Sequence, residues 1–117
     1  MLIDKRINYI ELPADDLDAV EAFYKTLFDW TFIPYGDEYR AFNDGSIDGG
    51  FYKSDQRASY AKGSALVVFY VEDLEATEAA VKVNGGTIHK EIFAFPGGRR
   101  FHFLDPHGNE LAVWSDK

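Results

Sequence analysis

The sequence predicts an α+β fold made of two βαβββ modules. Residues 15–24, "DDLDAVEAFY", and residues 72–81, "EDLEATEAAV", carry Asp, Leu, Ala, Glu and Ala in the same order. Each of these segments follows one apolar stretch and precedes three more, so the pattern strand, helix, three strands occurs twice. A chain of 117 residues suits a single domain, 1–117.

Both helices are predicted from acidic starts and from apolar residues at helical spacing. Negative charge is favoured at a helix start by the free amides and the dipole. The second helix is expected to stop at "NGG", with Gly85 or Gly86 as its left-handed cap. The apolar face of the first helix consists of Leu17, Val20, Phe23, Tyr24, Leu27 and Phe28. That of the second consists of Leu74, Ala80, Val81 and Val83.

Eight extended stretches complete the two modules. Module one covers about 1–55 and module two about 64–117, with "SDQRASYAKG" (54–63) as the polar joint. The strands of module one are "RINYIEL", "TFIPY", "EYRAF" and "GGFYK". Those of module two are "ALVVFYV", "TIHKEIF", "RRFHFL" and "ELAVWS".

Charge and composition exclude several classes of function. The net charge is -8, and the only adjacent basic pairs are Lys5-Arg6 and Arg99-Arg100, so we expect no nucleic-acid binding. The chain has no cysteine, and no apolar run approaches the roughly 20 residues that span a bilayer. The start lacks the pattern of a signal peptide. We therefore expect a cytoplasmic protein without a membrane partner.

Three motifs together resemble the vicinal oxygen chelate superfamily, the glyoxalase, bleomycin-resistance and extradiol dioxygenase group. They are "ELPADDLDAVEAFY" with "FDW" behind it, "VEDLEA" followed by "NGG", and "GGRRFHFLDPHGNELAVW". The likeness covers essentially the whole chain. Asp29 is a departure, because relatives usually have Gly before the Trp, but Asp tolerates the left-handed conformation.

The resemblance implies that the paired modules curl a mixed sheet into a cup, with helices outside and a ligand or metal inside. It places the metal ligands of metal-dependent relatives at Tyr9, Leu66, Ala112 and a position near 49–51. Strand alternation turns these side chains toward the cup. Leucine and alanine cannot bind a metal, and tyrosine rarely does, so we expect neither the inherited metal nor another cofactor.

A relocated metal site is the alternative. It would use Glu11 and His102, with His89 and Glu91 sharing one face of their own strand. The same residues also have simpler interpretations. Glu11 is expected to pair with Arg100 rather than to act in catalysis, and a lone histidine on a half-buried strand is usually a hydrogen-bonded structural residue.

The turn "DPHG" (105–108) is interpreted as structural. Pro presets the backbone and Gly closes the turn, and His107 within it is expected to be an exposed loop histidine. The segment "FAFPGGR" (93–99) is either a lid over the cup or an ordinary connection between two strands.

Without a metal, the cup suits a small-molecule ligand, because apolar walls with a few polar groups describe a pocket. The expected lining is Tyr9, Glu11, Leu66, Val68, Tyr70, Arg100, His102, Ala112 and Trp114. The leading hypothesis is a metal-free binding protein of the glyoxalase and bleomycin-resistance type that sequesters or carries a small molecule, and the acidic surface favours a cationic one. Trp30, Trp114 or the edge strands are alternatively expected to fill the interface of a homodimer.

Two enzymatic hypotheses remain open. One is a metal-dependent lyase, isomerase or dioxygenase with relocated ligands. The other is a metal-independent enzyme that transfers protons through Glu11 or His102. Literal glyoxalase I activity is not expected, because the ligand positions that the resemblance identifies lack suitable side chains.

Overall fold

The computed structural model describes residues 2–117 and confirms the two βαβββ modules. The first contains β1 (Tyr9–Ala14), α1 (Leu17–Phe28), β2 (Thr31–Pro34), β3 (Tyr39–Asn43) and β4 (Asp48–Lys53). The second contains β5 (Val68–Tyr70), α2 (Leu74–Val83), β6 (Thr87–Phe95), β7 (Gly98–Leu104) and β8 (Glu110–Ser115). A 3₁₀ turn, Tyr60–Lys62, lies in the joint. No helix within the described residues is long and apolar enough to cross a membrane.

The helix ends follow the chemistry of their capping residues. The Asp16 side chain accepts the N–H of Ala19 at 3.1 Å, and Asp73 caps α2 in the same way. Asp29 ends α1 in the left-handed region with φ 58°, as expected for Asp at this departure from the family pattern. Gly85, at φ 95°, is the left-handed residue after α2, which decides between the two predicted glycines.

Each module forms one four-stranded mixed sheet. The strand orders are β1-β4-β3-β2 and β5-β8-β7-β6, with the first pair of each sheet parallel and the others antiparallel. β5 is shorter than predicted, because only Val68–Tyr70 pair as a strand. Leu66 therefore lies before β5 rather than within it.

The aromatic core lies between the two sheets, around α1. Phe28 stacks on Phe69 of β5 with ring centroids 4.0 Å apart, whereas Tyr24 lies against Phe51 of β4. Trp30 stacks on Phe42 of β3 at 4.1 Å and also lies 5.8 Å from the Phe69 ring. Each fully buried aromatic contributes about 2 kcal/mol through apolar burial. Since both sheets turn one face to this shared core, their other faces point away from it.

We call these two surfaces the first and the second outer face. Strand alternation and register assign the side chains to them. The first outer face includes Tyr9, Glu11, Thr31, Ile33, Tyr39, Ala41, Asn43, Asp48 and Tyr52. The second outer face consists of Val68, Tyr70, Phe93, Arg100, His102, Glu110, Ala112 and Trp114.

The β7–β8 turn binds the two modules together. Asp105 Oδ1 accepts three backbone N–H groups from within the turn, and its Oδ2 accepts the buried Tyr24 hydroxyl of α1 at 2.9 Å. Asn109 Nδ2 donates to Pro13 O at 2.7 Å, which ties the turn to the end of β1. Burial raises the pKa of Asp105 above its ordinary value, although these hydrogen bonds oppose the shift. The structural interpretation of the turn agrees with these contacts.

His107, expected as an exposed loop histidine, lies in the predicted turn, where it is half-buried and hydrogen-bonded. Its Nδ1 accepts the Asp15 N–H at 3.1 Å and its Nε2 donates to Gln56 O at 2.6 Å. The ring therefore connects the start of α1 to the joint. Sequence gave no sign of this role because both partners are more than 50 residues away.

The segment "FAFPGGR" forms an ordinary hairpin connection. β6 runs to Phe95 and β7 begins at Gly98, so only Pro96 and Gly97 join them. Gly97 has φ 110°, a conformation that a tight turn demands and that glycine adopts without strain. A two-residue turn between paired strands is too short to act as a lid.

Candidate ligand-binding faces

A chain of hydrogen bonds crosses the first outer face. Tyr39 Oη donates to Glu11 Oε2 at 2.8 Å, and the Tyr9 and Tyr39 hydroxyls lie 2.6 Å apart. Tyr39 has a single hydroxyl proton, which it donates to Glu11. The Tyr9 hydroxyl must therefore donate its own proton to the Tyr39 oxygen. The Tyr9 oxygen consequently keeps its lone pairs for a further donor. Such a chain is polarised toward the carboxylate, which strengthens each of its bonds.

Gly50 makes this chain of hydrogen bonds possible. Gly50 lies opposite both Glu11 and Ala41 in the sheet. A Cβ at Gly50 would collide with the Tyr39 hydroxyl, so only glycine lets the Tyr39 ring lie across the sheet toward Glu11.

Burial and the carboxylate keep Tyr39 protonated. Desolvation raises its pKa, and the hydrogen bonds to Tyr9 and Glu11 raise the pKa further. Tyr39 is therefore a fixed donor at all physiological pH values rather than a proton-transfer group.

A cavity of about 380 Å³ opens on the first sheet beside this chain of hydrogen bonds. Its lining is more apolar than polar and, among the described residues, it includes no Lys, Arg or His. Asp48 is the one carboxylate in the part of the lining that the structure describes. The cavity is lined by Tyr9, Thr31, Ile33, Tyr35, Ala41, Phe42, Asn43, Asp48 and Gly49.

The second outer face contains a buried histidine and carboxylate pair. His102 Nδ1 lies 2.8 Å from Glu110 Oε2, and the two side chains are only 2% and 6% exposed. Glu110 Oε1 also accepts the Tyr60 N–H of the 3₁₀ turn at 3.1 Å. His102 Nε2 is enclosed without a hydrogen-bond partner in residues 2–117. Burial by itself raises the pKa of Glu110, but the bonds from His102 and Tyr60 and the nearby His89 outweigh it, so the pKa is lowered.

Aromatic rings surround Arg100 on the same face. Arg100 lies across the sheet from Trp114 on one side and from Phe93 on the other. Its Cζ is 5.3 Å from the centre of the Phe93 ring and 5.9 Å from that of Phe95. These distances allow cation–π attraction.

The structure divides the predicted lining between the two outer faces. Tyr9 and Glu11 lie on the first, whereas the second contains Val68 and five other predicted residues. Leu66 lies just before β5. Besides Val68, the predicted residues on the second outer face are Tyr70, Arg100, His102, Ala112 and Trp114.

Two predicted contacts are absent. Glu11 does not pair with Arg100, since it accepts from Tyr39 and no ion pair to Arg100 exists among residues 2–117. Glu11 does not meet His102, which is bonded to Glu110 instead. Strand parity determines on which side of its own sheet a residue lies. It does not determine how the two sheets are arranged, and around the shared core their outer faces point in different directions. Glu11 on one sheet therefore does not meet Arg100 or His102 on the other.

The residues at the family's metal positions do not fit a divalent ion. Ala112 lies fully buried between Val68 and His102 in the sheet and offers no donor atom, and Leu66 offers none either. The nearest carboxylate on β8, Glu110, is two residues away and is already bonded to His102. Within the described part of the chain, no group of three His, Asp or Glu side chains is placed to hold an ion.

Tyr39 and the pairing of Glu110 were not anticipated from sequence. Tyr39 reaches Glu11 across 28 residues, so only the register of the finished sheet reveals it. The pairing of His102 with Glu110 could have been predicted, because a short turn between β7 and β8 brings both side chains close together on the same face.

Comparisons with known proteins agree with this architecture. The family model Glyoxalase/Bleomycin resistance protein/Dioxygenase superfamily matches residues 6–113. A "Glyoxylase-like domain-containing protein" of Didymella fabae is 30% identical over 124 residues, which cover 97% of this chain and 95% of that protein.

Solved structures share the fold at low sequence identity. A glyoxalase-related enzyme from Fulvimarina pelagi has a TM-score of 0.78 at 17% identity, covering 95% of this chain and 88% of that one. The fosfomycin resistance protein FosX of Listeria monocytogenes has a TM-score of 0.79 at 18% identity, covering 97% and 94%. Lactoylglutathione lyase from Agrobacterium tumefaciens has a TM-score of 0.70 at 21% identity, covering 95% and 93%.

Proposed function

We propose that this chain, which belongs to the Glyoxalase/Bleomycin resistance protein/Dioxygenase superfamily, binds a planar, cationic small molecule on its first outer face without a metal. The observation that carries the proposal is the cavity of about 380 Å³ beside Tyr9, whose described lining has no basic side chain. Its size falls in the range of small-molecule pockets.

The tyrosines favour a flat ligand. Tyr9 and Tyr35 both line the cavity and remain 44% and 62% exposed. Exposed aromatic rings at a cavity wall offer faces on which a planar ring stacks and toward which a cation is attracted.

Charge and hydrogen bonding favour a cation. Asp48 lies in the cavity wall, and Glu11 is joined to Tyr9 through Tyr39. Because the Tyr9 proton is donated to Tyr39, the Tyr9 oxygen presents its lone pairs, and so a negative potential, to a ligand; this favours a cation over an anion. The net charge of -8 adds a field that attracts cations.

A charge-matched titration tests this function. N-methylquinolinium and its neutral relative quinoline are compared by isothermal titration, with Tyr9→Ala and Tyr52→Ala as the variant and its control. Tyr52 lies on the same face but does not line the cavity. We expect the cation to bind at least tenfold more tightly than quinoline, Y9A to lose at least tenfold, and Y52A to stay within twofold. Equal affinity for both probes, or an unaffected Y9A, would contradict the proposal.

Proton transfer by His102 is a second candidate function. Glu110 holds Nδ1 of the ring and leaves Nε2 without a partner, an arrangement that orients a histidine for acid–base work. Tyr60, whose ring lies 5.6 Å from the His102 ring, would have to move to admit a substrate. The test is deuterium exchange into dihydroxyacetone followed by NMR. Wild-type protein and His89→Gln should exchange faster than His102→Gln, and equal rates in all three would exclude this activity.

We propose a homodimer through the N-terminal segment. Leu2 and Ile7 are 84% and 83% exposed, and Ile3 beside them is also exposed. Three large apolar side chains in so short a segment are typical of a surface that another molecule covers. Light scattering at about 100 μM should give the mass of a dimer for wild-type protein and of a monomer for Ile7→Lys. A wild-type monomer at that concentration would contradict the proposal.

A further inference from the structure

Arg100 is a half-buried cation without an anionic partner. Arg40 pairs with Asp18, and Arg99, the neighbour on the same strand, pairs with Glu75. The Arg100 side chain has neither a hydrogen bond nor an ion pair among residues 2–117. Arg6 and Arg57 also lack an ion pair among residues 2–117, but both are exposed to water, whereas Arg100 is partly buried.

The surroundings hold the guanidinium in one place. Tyr70, Trp114, Arg100 and Phe93 form a row across the four strands of the sheet. The Phe93 ring also faces Lys90, whose Nζ lies 4.5 Å from the ring centre, so a second positive charge is close. Packing against rings removes part of the water around the guanidinium and limits its motion.

The unpaired atoms define what a ligand must supply. Arg100 Nε is enclosed and has no acceptor, while the side chain as a whole remains partly exposed. Buried donors in folded proteins nearly always have an acceptor, so the unpaired Arg100 Nε–H is a position where a ligand oxygen can bind. The guanidinium fork matches the two oxygens of a carboxylate.

We infer that Arg100 is a receptor for the carboxylate of a small aromatic acid, with Trp114 and Phe93 flanking the ligand's ring. The inference goes beyond the proposed function, because it concerns the second outer face and an anionic ligand. Its failure is distinguishable from that of the proposed function, since the two tests use probes of opposite charge and variants on different sheets.

Benzoate, with benzamide as its neutral relative, is the probe, followed through the side-chain N–H signals in ¹H–¹⁵N NMR. Benzoate should shift Arg100 Nε–H and the Trp114 indole N–H in a saturable manner. Trp30, which is buried in the core, should not move. Benzamide should bind at least fivefold more weakly.

The variants separate the guanidinium from general surface charge. Arg100→Met should weaken benzoate binding at least tenfold, and Arg100→Lys should give an intermediate loss because it keeps charge without the planar fork. Arg99→Gln, the matched control on the opposite side of the strand, should stay within twofold. Circular dichroism and thermal unfolding establish that each variant is folded.

Three results would overturn the inference. The first is benzoate binding to folded R100M with wild-type affinity, and the second is equal binding of benzamide. The third is that benzoate produces no saturable shift of the Arg100 and Trp114 side-chain signals. If R100M and Glu11→Gln then both lower the mass measured by light scattering from that of a dimer, Arg100 has a different partner. That result would assign the carboxylate to Glu11 of a second copy.

Discussion

The two outer faces come from the same βαβββ pattern, yet they treat polar side chains in opposite ways. On the first, the exposed Glu11 carboxylate ends a chain of tyrosine hydroxyls beside an open cavity. On the second, the Glu110 carboxylate is buried against His102 and the joint. The first face therefore has a carboxylate that a ligand can reach. The second buries its carboxylate against His102 and leaves Arg100 without an ion pair among residues 2–117.

The equivalent turns of the two modules differ in the same sense. In the β3–β4 turn, Asp44 accepts only the N–H groups of Ser46 and Ile47 and lies exposed. In the β7–β8 turn, Asp105 is buried and reaches the other module through Tyr24. Of these two equivalent turns, one makes local contacts whereas the other joins the modules.

The largest expected effect separates the two turns. Asp105→Ala would leave the Tyr24 hydroxyl and several backbone N–H groups buried without an acceptor, so it should lower the free energy of unfolding by about 3 kcal/mol. Asp44→Ala should cost less than about 1 kcal/mol, because water can replace its bonds. Urea denaturation measures both, and similar losses would remove the distinction.

The two carboxylates of the outer faces provide the next test. Glu110→Ala leaves His102 and the Tyr60 N–H without their acceptor, and we expect it to lower the free energy of unfolding by about 2 kcal/mol. Glu11→Gln keeps an acceptor for Tyr39 at an exposed site and should change it by less than about 0.5 kcal/mol. A larger loss in E11Q than in E110A would reverse the comparison.

The pH dependence of stability in acid should test the same buried pair, His102 and Glu110. The pKa of Glu110 is lower in the folded chain than its ordinary value of 4.5. Its stabilisation is therefore fully present above pH 4.5 and is lost as the pH falls through the folded-state pKa. Glu110→Gln should consequently flatten the decline in unfolding free energy below pH 4.5, as measured by urea titrations at several pH values. An unchanged slope would show that Glu110 does not contribute to acid sensitivity.

A modest effect on stability should accompany a clear effect on binding at the first face. Gly50→Ala pushes the Tyr39 hydroxyl away from Glu11 and so breaks the chain that leads to Tyr9. Because the outer face is open to solvent, the Tyr39 side chain can move. We therefore expect Gly50→Ala to lower the free energy of unfolding by about 1 kcal/mol. Binding of N-methylquinolinium should weaken several-fold, whereas benzoate binding on the second face should not change. Loss of both would indicate a general distortion of the fold.

Sequence patterns were sufficient for the local features. The acidic caps at Asp16 and Asp73, the left-handed Asp29 and the buried Phe101 and Phe103 all follow from short-range chemistry and strand alternation. What the sequence did not determine was how the two modules pack. Aromatic contacts around α1 decide that, and they place Glu11 and Arg100 on different faces.

The most direct measurement of the central claim is a backbone ¹H–¹⁵N NMR map of wild-type protein with N-methylquinolinium and with benzoate, each titrated separately. We predict that the cation shifts amides around Tyr9, Asn43 and Gly49, and that the anion shifts amides around Phe93, Arg100 and Trp114, with little overlap. If both probes shift the same face, or if the cation maps to the second face and the anion to the first, the account is contradicted.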